Sequence, residues 1–423
     1  MNILIKQVVL IEPSSKHHMQ VVDLMIVDGV IVEIAKQIEP KNNCTLWQGE
    51  NLHVSAGWFD MRANFKDPGV EYMEDIYSGV NAAMQGGFTG VCLSPETEPA
   101  IDNKAQVLYI TQKAASLLVD IVPNGSLSKQ LLGKELAEMY DMHLAGARGF
   151  YNGKNTEVSS ALMQKALLYA RHMNEVVINY PLDRSISGAG QIHEGSTSTS
   201  LGLKGIPSIA EEIRLNRDIY LAEYTEGKLH AATISSAGSV SLIKAAKAKK
   251  TSVTCDVSAL QLFFIDEDLS DFSTALKVSP PFRSKEDKLA LIKGLKDNVI
   301  DVICSDHEPL DNDHKKVEFD FASYGCIGLE TAFSVANTAL AKQMKIDDIV
   351  AKICNNPRVI LGIDAVKVEV GQVANLTVFD PTMEYTLELD HIKSKSKNTP
   401  LIGTKLVGKA LGVINNNQAN WLV

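Results

Sequence analysis

The six cysteines of this 423-residue chain, Cys44, Cys92, Cys255, Cys304, Cys326 and Cys354, include no C-x-x-C pair. That absence excludes a zinc ribbon or a thioredoxin-like redox motif, and the thiols read as small buried hydrophobes. No apolar run approaches the roughly 20 residues that span a bilayer. The first residues, MNILIKQVVLIEP, are a β-branched run without the charged stretch that opens a secretory signal. A cytoplasmic protein with no membrane partner is therefore expected. Basic charge is short as well: 41 Lys and Arg stand against 51 Asp and Glu, for a net charge of −10. Binding to nucleic acid relies on clustered cations that displace phosphate counterions, so a nucleic-acid partner is not expected. Internal repeats and low-complexity segments are also missing.

What is present is ample core, with 45% hydrophobic residues, enough for one large domain and a smaller one. Residues 1–55 read as short strands (NILIKQVVLIE, QVVDLMIVDGVIVEIA, NLHVSA) punctuated by turns such as Asp28-Gly29. From 56 to 362 short apolar runs (GVCLSP, GARGFYN, VVINYP, LHAATIS, TSVTCDVS, DVICSDH) alternate with amphipathic stretches such as SSALMQKALLYARHM and SIAEEIRLNRDIYLAEYT. Alternation of this length predicts an α/β fold whose parallel sheet closes into a (β/α)8 TIM barrel, with functional residues where the strands end. Residues 363–423 return to strands, and the two chain ends are expected to pair into a small β-sandwich-like domain beside the barrel. Smaller signals are bland. Lys247 in IKAAKAKKTS reads as a solvated helix end favoured by the helix dipole. His17-His18 reads as a turn, and Gly86-Gly87 and Gly188-Ala189-Gly190 read as turns and not phosphate loops.

Several ordered segments carry a resemblance: FKDPG at 65–69, AAMQGGFTGV at 82–91, EGSTSTSLGLKGIPSIAEE from Glu194, RDIYLAE from Arg217, KVSPPFR from Lys277, DVICSDHEP from Asp301, FASYGCIGLET from Phe321 and VANLTVFDP from Val373. Over nearly its whole length the chain resembles the dihydroorotases of the amidohydrolase superfamily. The resemblance implies a metal-dependent-hydrolase barrel flanked by a sheet built from both chain ends. It also implies, in active relatives, two zinc ions at the barrel mouth, held by an H-x-H on the first strand, a bridging carboxylate, two further histidines and a last-strand aspartate. Residues i and i+2 of a strand share a face, so H-x-H aims two imidazoles at one ion. The metal then lowers the pKa of a bound water so that hydroxide can attack a ring amide.

On this chain the H-x-H positions fall on Arg62 and Asn64, the bridging position on Asn152 in a segment one residue short, and the histidine positions on Tyr180 and Thr233; Asp306 alone is retained. A guanidinium has no lone pair to donate and the other replacements are poor zinc ligands, so no metal or other cofactor is expected. Substrate contacts are altered too. Lys66 replaces an arginine that grips a carboxylate, Glu96 replaces an asparagine and would repel one, and Ser279 replaces another asparagine. Asp306 is the one remnant with a possible catalytic role, and Arg62 is expected to pair with it in place of the metal charge. His230 and His307, at predicted strand ends, are candidates for acid–base work, with packing as the bland alternative. The segment PLDRSISGAGQIHEGSTSTS is expected to cover the mouth.

Three functional readings follow. The first is a catalytically silent dihydroorotase homologue of pyrimidine biosynthesis, kept as a structural or regulatory subunit. The resemblance implies aspartate carbamoyltransferase as its partner and a homodimer as its own state. The second is a working cyclic-amide hydrolase, interconverting N-carbamoyl-L-aspartate and dihydroorotate with one metal or none. The third is a small-anion binder whose mouth is lined by Arg62, Lys66 and Arg283.

Overall fold

The computed structural model describes residues 1–40 and 43–422. The barrel strands are Trp58–Ala63, Phe88–Leu93, Asp120–Pro123 continuing in Gly125–Ser126, Phe150–Tyr151, Val176–Asn179, Lys228–Ala231, Val253–Ser258 and Val302–Cys304. All neighbouring pairs are parallel. The circle closes where Ala63 bridges His307 and the Asn64 amide donates to the His307 carbonyl at 2.9 Å. Every residue of the first two strands is buried, as befits parallel strands packed on both faces. Helices cover the outside. In Ser160–His172, Ser159 caps the start by accepting from the Leu162 amide, and Leu162, Met163, Ala166, Leu167 and Ala170 turn inward at helical spacing.

The chain ends pair, as expected, into one small domain beside the barrel, built on an eight-stranded sheet. Its order is Gln418–Trp421, Lys405–Asn415, Leu376–Thr386, His53–Ala56, Asn2–Ile11, Val21–Val27 and Val30–Ala35, with Thr45–Trp47 alongside Asn2–Ile11. His53–Ala56 pairs in parallel with Asn2–Ile11 and antiparallel with Leu376–Thr386, so it joins the two termini. At the join, Trp58 packs on Phe88, Phe333 and Phe379. Gly87 (φ +86°) turns the chain into the second barrel strand, where a Cβ would meet Trp58 and Ala410. The Gly86-Gly87 pair is thus a helix-to-strand turn.

Two local expectations change. The segment GARGFYN contributes only the pair Phe150–Tyr151, because Asn152 and Gly153 (φ +73°) bend the chain away. Lys247 is half-buried and paired: its ammonium bonds both Asp301 oxygens at 2.6 and 2.7 Å and the Val299 carbonyl at 2.8 Å, stapling its helix to the last strand's entry. Among the described residues no helix is long and apolar enough to cross a membrane.

Asp60 spans the barrel seam, accepting from the Ser305 amide and hydroxyl, both at 2.7 Å, while the Ser305 hydroxyl also faces the Arg62 carbonyl at 3.1 Å. Burial raises the Asp60 carboxyl to about 7, against the pull of those bonds. A protonated Asp60 donates to Ser305, which passes its own hydrogen to Arg62 O. A carboxyl raised on folding contributes stability that is full below about 4 and is lost as pH rises through about 7. Asparagine reproduces the protonated pattern. Asp60→Asn is therefore expected to match the wild type in urea unfolding at pH 3.5 and to exceed it by roughly 4 kcal/mol at pH 8.5. Equal stabilities at both pH values would show that Asp60 is ionised throughout.

Candidate functional site

The carboxyl ends of the strands converge on Asp256, in the seventh strand. The Arg62 guanidinium reaches across the mouth from the first strand and donates from Nη2 to Asp256 Oδ2 at 2.9 Å. His230 Nε2 sits 2.9 Å from the same oxygen, its Nδ1 2.8 Å from Thr254 Oγ1, and the Thr233 amide donates to Oδ1. The Tyr151 ring lies 5.0 Å from the guanidinium carbon, a cation–π distance. Arg62, Tyr151, His230, Thr233 and Asp256 are all buried. Burial alone raises the Asp256 carboxyl, but Arg62 and His230 outweigh it and hold the group well below the usual carboxylate range.

The expected Arg62–Asp306 pair is not formed. Asp306 is held by Lys154, whose ammonium lies 2.6 and 2.7 Å from its two oxygens and 2.6 Å from the Ser279 carbonyl, with the Tyr180 ring 5.6 Å away. The reason is local. Asp306 adopts φ +51° at the end of the last strand, and the shortened turn Asn152-Gly153 brings Lys154 to it from the fourth. Burial raises the Asp306 carboxyl, against the opposing pull of Lys154 and Arg62. Tyr180 and Ser279 share a hydroxyl hydrogen bond of 2.8 Å. Asn152 turns outward, accepting from the Ser128 amide at 3.0 Å and hydroxyl at 2.6 Å. Asn64 accepts from the Lys66 amide at 2.9 Å.

Above these pairs lies a cavity of about 490 Å³. Lys66, Glu96 and Ser279 line it, as does the segment 182–191, so the loop covers the mouth as its composition predicts. Arg184 ties that loop down by donating to the Lys154 carbonyl, and Tyr324 by donating to the Gly190 carbonyl at 2.9 Å. Lys66 is paired with Glu308. Glu96 accepts from the Lys154 amide at 2.9 Å and is packed so closely on Gly153 that a Cβ there would collide with it. Burial and then the neighbouring Glu308 raise the Glu96 carboxyl.

Of the cationic trio, Lys66 lines the cavity and Arg62 and Arg283 do not. Arg62 is committed to Asp256, and Arg283 is buried, donating to Ser235 Oγ at 2.9 Å and the Ile206 carbonyl at 2.8 Å. The histidines also lie away from the cavity. His230 is fully buried against Asp256, and His307 Nδ1 accepts from the Gly328 amide at 3.2 Å with Nε2 3.5 Å from Glu74. His17 and His18 lie in a turn of the terminal sheet, His18 Nε2 3.5 Å from Asp347. Sequence reasoning missed Asp256 and Lys154, the two partners that organise the mouth. Lys154 carried one usable signal: it is the first cation after the shortened turn.

A dihydro-orotase-like family model matches residues 53–239. The dihydroorotase of Acetivibrio thermocellus is 41% identical over 399 residues, covering 94% of this chain and 93% of that protein. The chain belongs to the dihydroorotase-like family. The dihydroorotase of Geotalea daltonii is 39% identical, covering 97% of both proteins. In solved structures the fold matches the L-hydantoinase (dihydropyrimidinase) from Arthrobacter aurescens, with TM-score 0.87 at 21% identity over 100% of this chain and 97% of that one. The dihydropyrimidinase from Brevibacillus agri gives TM-score 0.83 at 18% identity over 99% and 95% of the two chains. At these identities the structures establish the barrel fold.

The dihydroorotase-like mouth of this chain does not fit a two-metal centre. Among the described residues no group of three or more His, Cys, Asp or Glu side chains is placed to hold a metal ion. The nearest donors are already spent: both Asp306 oxygens on an ammonium, Asp256 Oδ2 on a guanidinium, Asn152 Oδ1 on Ser128.

Proposed function

We propose that this dihydroorotase homologue of pyrimidine biosynthesis is silent as a metal-dependent hydrolase and acts as a structural or regulatory subunit, with aspartate carbamoyltransferase as its partner. The observation that carries the reading is the Lys154 ammonium bonded to both oxygens of Asp306. A cation in that position opposes a metal at the carboxylate by charge, and it engages both carboxylate oxygens in hydrogen bonds. Arg62 on Asp256 repeats the substitution across the mouth. Two internal ion pairs thus supply the positive charge that metals supply in a zinc hydrolase, without a Lewis acid or an activated water.

The test joins elemental analysis of the purified chain to a dihydroorotate hydrolysis assay with and without added zinc, followed by co-purification with aspartate carbamoyltransferase. The expected result is less than about a tenth of a zinc per chain, against the one or two that a catalytic site holds, with no turnover and a stable complex. Stoichiometric zinc with turnover would overturn the silent reading. Turnover without metal would favour the cyclic-amide hydrolase with a metal-free site, and failure to bind the transferase would remove the partner.

A further inference from the structure

The basic segment HIKSKSKNTP, residues 391–400, alternates between buried polar residues and exposed lysines. The buried ones pin it down: Ser394 donates to Glu74, Ser396 to the Met73 carbonyl at 2.8 Å, and Asn398 to the Glu308 and Gly325 carbonyls at 2.9 and 3.2 Å. The lysines are thereby left on the outer side. Two of them, Lys395 and Lys397, line a cleft of about 280 Å³ together with Lys315 and Lys316 of the segment Leu310–Gly325. Four cations thus meet in one place on a chain whose net charge is −10. Among the described residues the only acid on the lining is Asp311, and its Oδ1 is already 2.6 Å from His314 Nδ1.

Most of this positive charge has no counter-charge. Lys395 meets a carboxylate, Asp75 at 2.6 Å. Lys397 bonds only the Ile392 and Ser394 carbonyls, at 2.8 and 2.7 Å, and the Lys316 ammonium makes no bond among the described residues. Lys315, 7% exposed, bonds the carbonyls of Thr274 and Ser323 at 2.8 Å and of Lys277 at 3.1 Å. Carbonyl dipoles solvate an ammonium without cancelling its charge, and neighbouring ammonium groups repel. Burial accordingly pushes Lys315 down to about 8, with Cys326 opposing, Lys277 adding and Glu308 opposing. An anion carrying several charges would relieve that repulsion through charge-assisted hydrogen bonds. Asn312 and Tyr72, both exposed on the lining, add a neutral amide and a hydroxyl donor. The volume lies at the lower end of ligand clefts, which begin near ~300 Å³, so the occupant is small.

We propose that this cleft is a binding site for a diphosphate group, separate from the barrel mouth. The segment Leu310–Gly325 lines both the cleft and the mouth cavity, so an occupied cleft bears on a wall of the mouth. Titration calorimetry of the full chain with inorganic pyrophosphate, free of divalent metal, should show one site per chain. Lys316→Glu should weaken it by at least ~10-fold, the worth of one hydrogen bond to a charged group, while Lys316→Arg should stay within about threefold of the wild type. Lys316 is exposed, so both variants should melt within a few degrees of the wild type. Adenosine diphosphate is the second probe. Binding equal to that of pyrophosphate assigns the site to the free anion, and tighter binding that Tyr72→Ala removes assigns it to a nucleotide; either result supports a diphosphate site. Absence of saturable binding by both probes overturns the proposal. So does binding that Lys316→Glu leaves unchanged, or that Arg184→Ala in the mouth cavity abolishes instead. If neither probe binds and Lys316→Glu releases aspartate carbamoyltransferase, the cleft is a protein contact and the proposal falls.

Discussion

Arg62→Met is expected to lower folding stability by about 3–5 kcal/mol at pH 7.5, the range for removing one partner of a buried ion pair. The side chain is a fair volume match, so little of the loss comes from a cavity. What remains is Asp256, fully buried, with His230 and two weaker donors around it and no cation to balance it. The carboxyl then ionises at a cost or takes up a proton. In the wild type its depressed titration means that its contribution is fully present above the ordinary carboxylate value and is lost only as pH falls through the lower folded value. Neutral pH is therefore where the single variant suffers most. Arg62→Met/Asp256→Asn should recover much of the loss, since asparagine still accepts from the Thr233 amide and no buried charge is left. Urea unfolding of the four proteins in the cycle checks this. A single-variant cost under about 1 kcal/mol would mean that water reaches the pair and screens it.

How much of this was legible in the sequence divides along physical lines. The barrel was, because parallel strands covered on both faces must be apolar runs and their covering helices must alternate with them; VVINYP and SSALMQKALLYARHM could hardly be anything else. The gathering of Arg62, Tyr180, Thr233 and Asp306 at one mouth followed from their places at strand ends. Their partners did not follow. Strand order fixes which residues reach the mouth, while a long arginine side chain can choose among several carboxylates, and it chose Asp256 over Asp306. Asp306 in turn was claimed by Lys154, whose approach depends on a turn one residue shorter than the pattern suggests. Nor could periodicity reveal that Arg283 and His307 lie in packed interior and not on the cavity wall, because both follow strand or loop segments whose direction is set by tertiary contacts.

Backbone strain is found at the mouth. Lys66, Thr233 and Asp306 have φ of +57°, +48° and +51°, a region that L residues and above all β-branched threonine avoid. Each such residue costs on the order of 1–3 kcal/mol and persists only where its surroundings over-determine it. At Thr233 the strained amide donates to Asp256, and at Asp306 the strained carboxylate meets Lys154. The main-chain geometry at the mouth is thus anchored by ion pairs.

Lys154→Met tests that anchoring where a metal-like cation matters most. Its ammonium bonds both Asp306 oxygens, and it also satisfies the Ser279 carbonyl. Burial already raises the Asp306 carboxyl in the wild type, and losing the cation removes the largest opposing pull, so the group moves further up. A carboxyl raised on folding is stabilising at low pH and loses that contribution as pH rises from the unfolded value toward the folded one. The variant should therefore fall further behind the wild type at pH 8, by roughly 3 kcal/mol, than at pH 4.5. The cavity wall should respond as well, since Glu96 and Asp306 would face the mouth with Lys154 gone, and added zinc should still fail to raise the melting temperature because, among the described residues, no third His, Cys, Asp or Glu is placed with them to hold a metal ion. A pH-independent loss would assign Lys154 a packing role. A rise in melting temperature with zinc would show that the ammonium alone had been keeping a metal out.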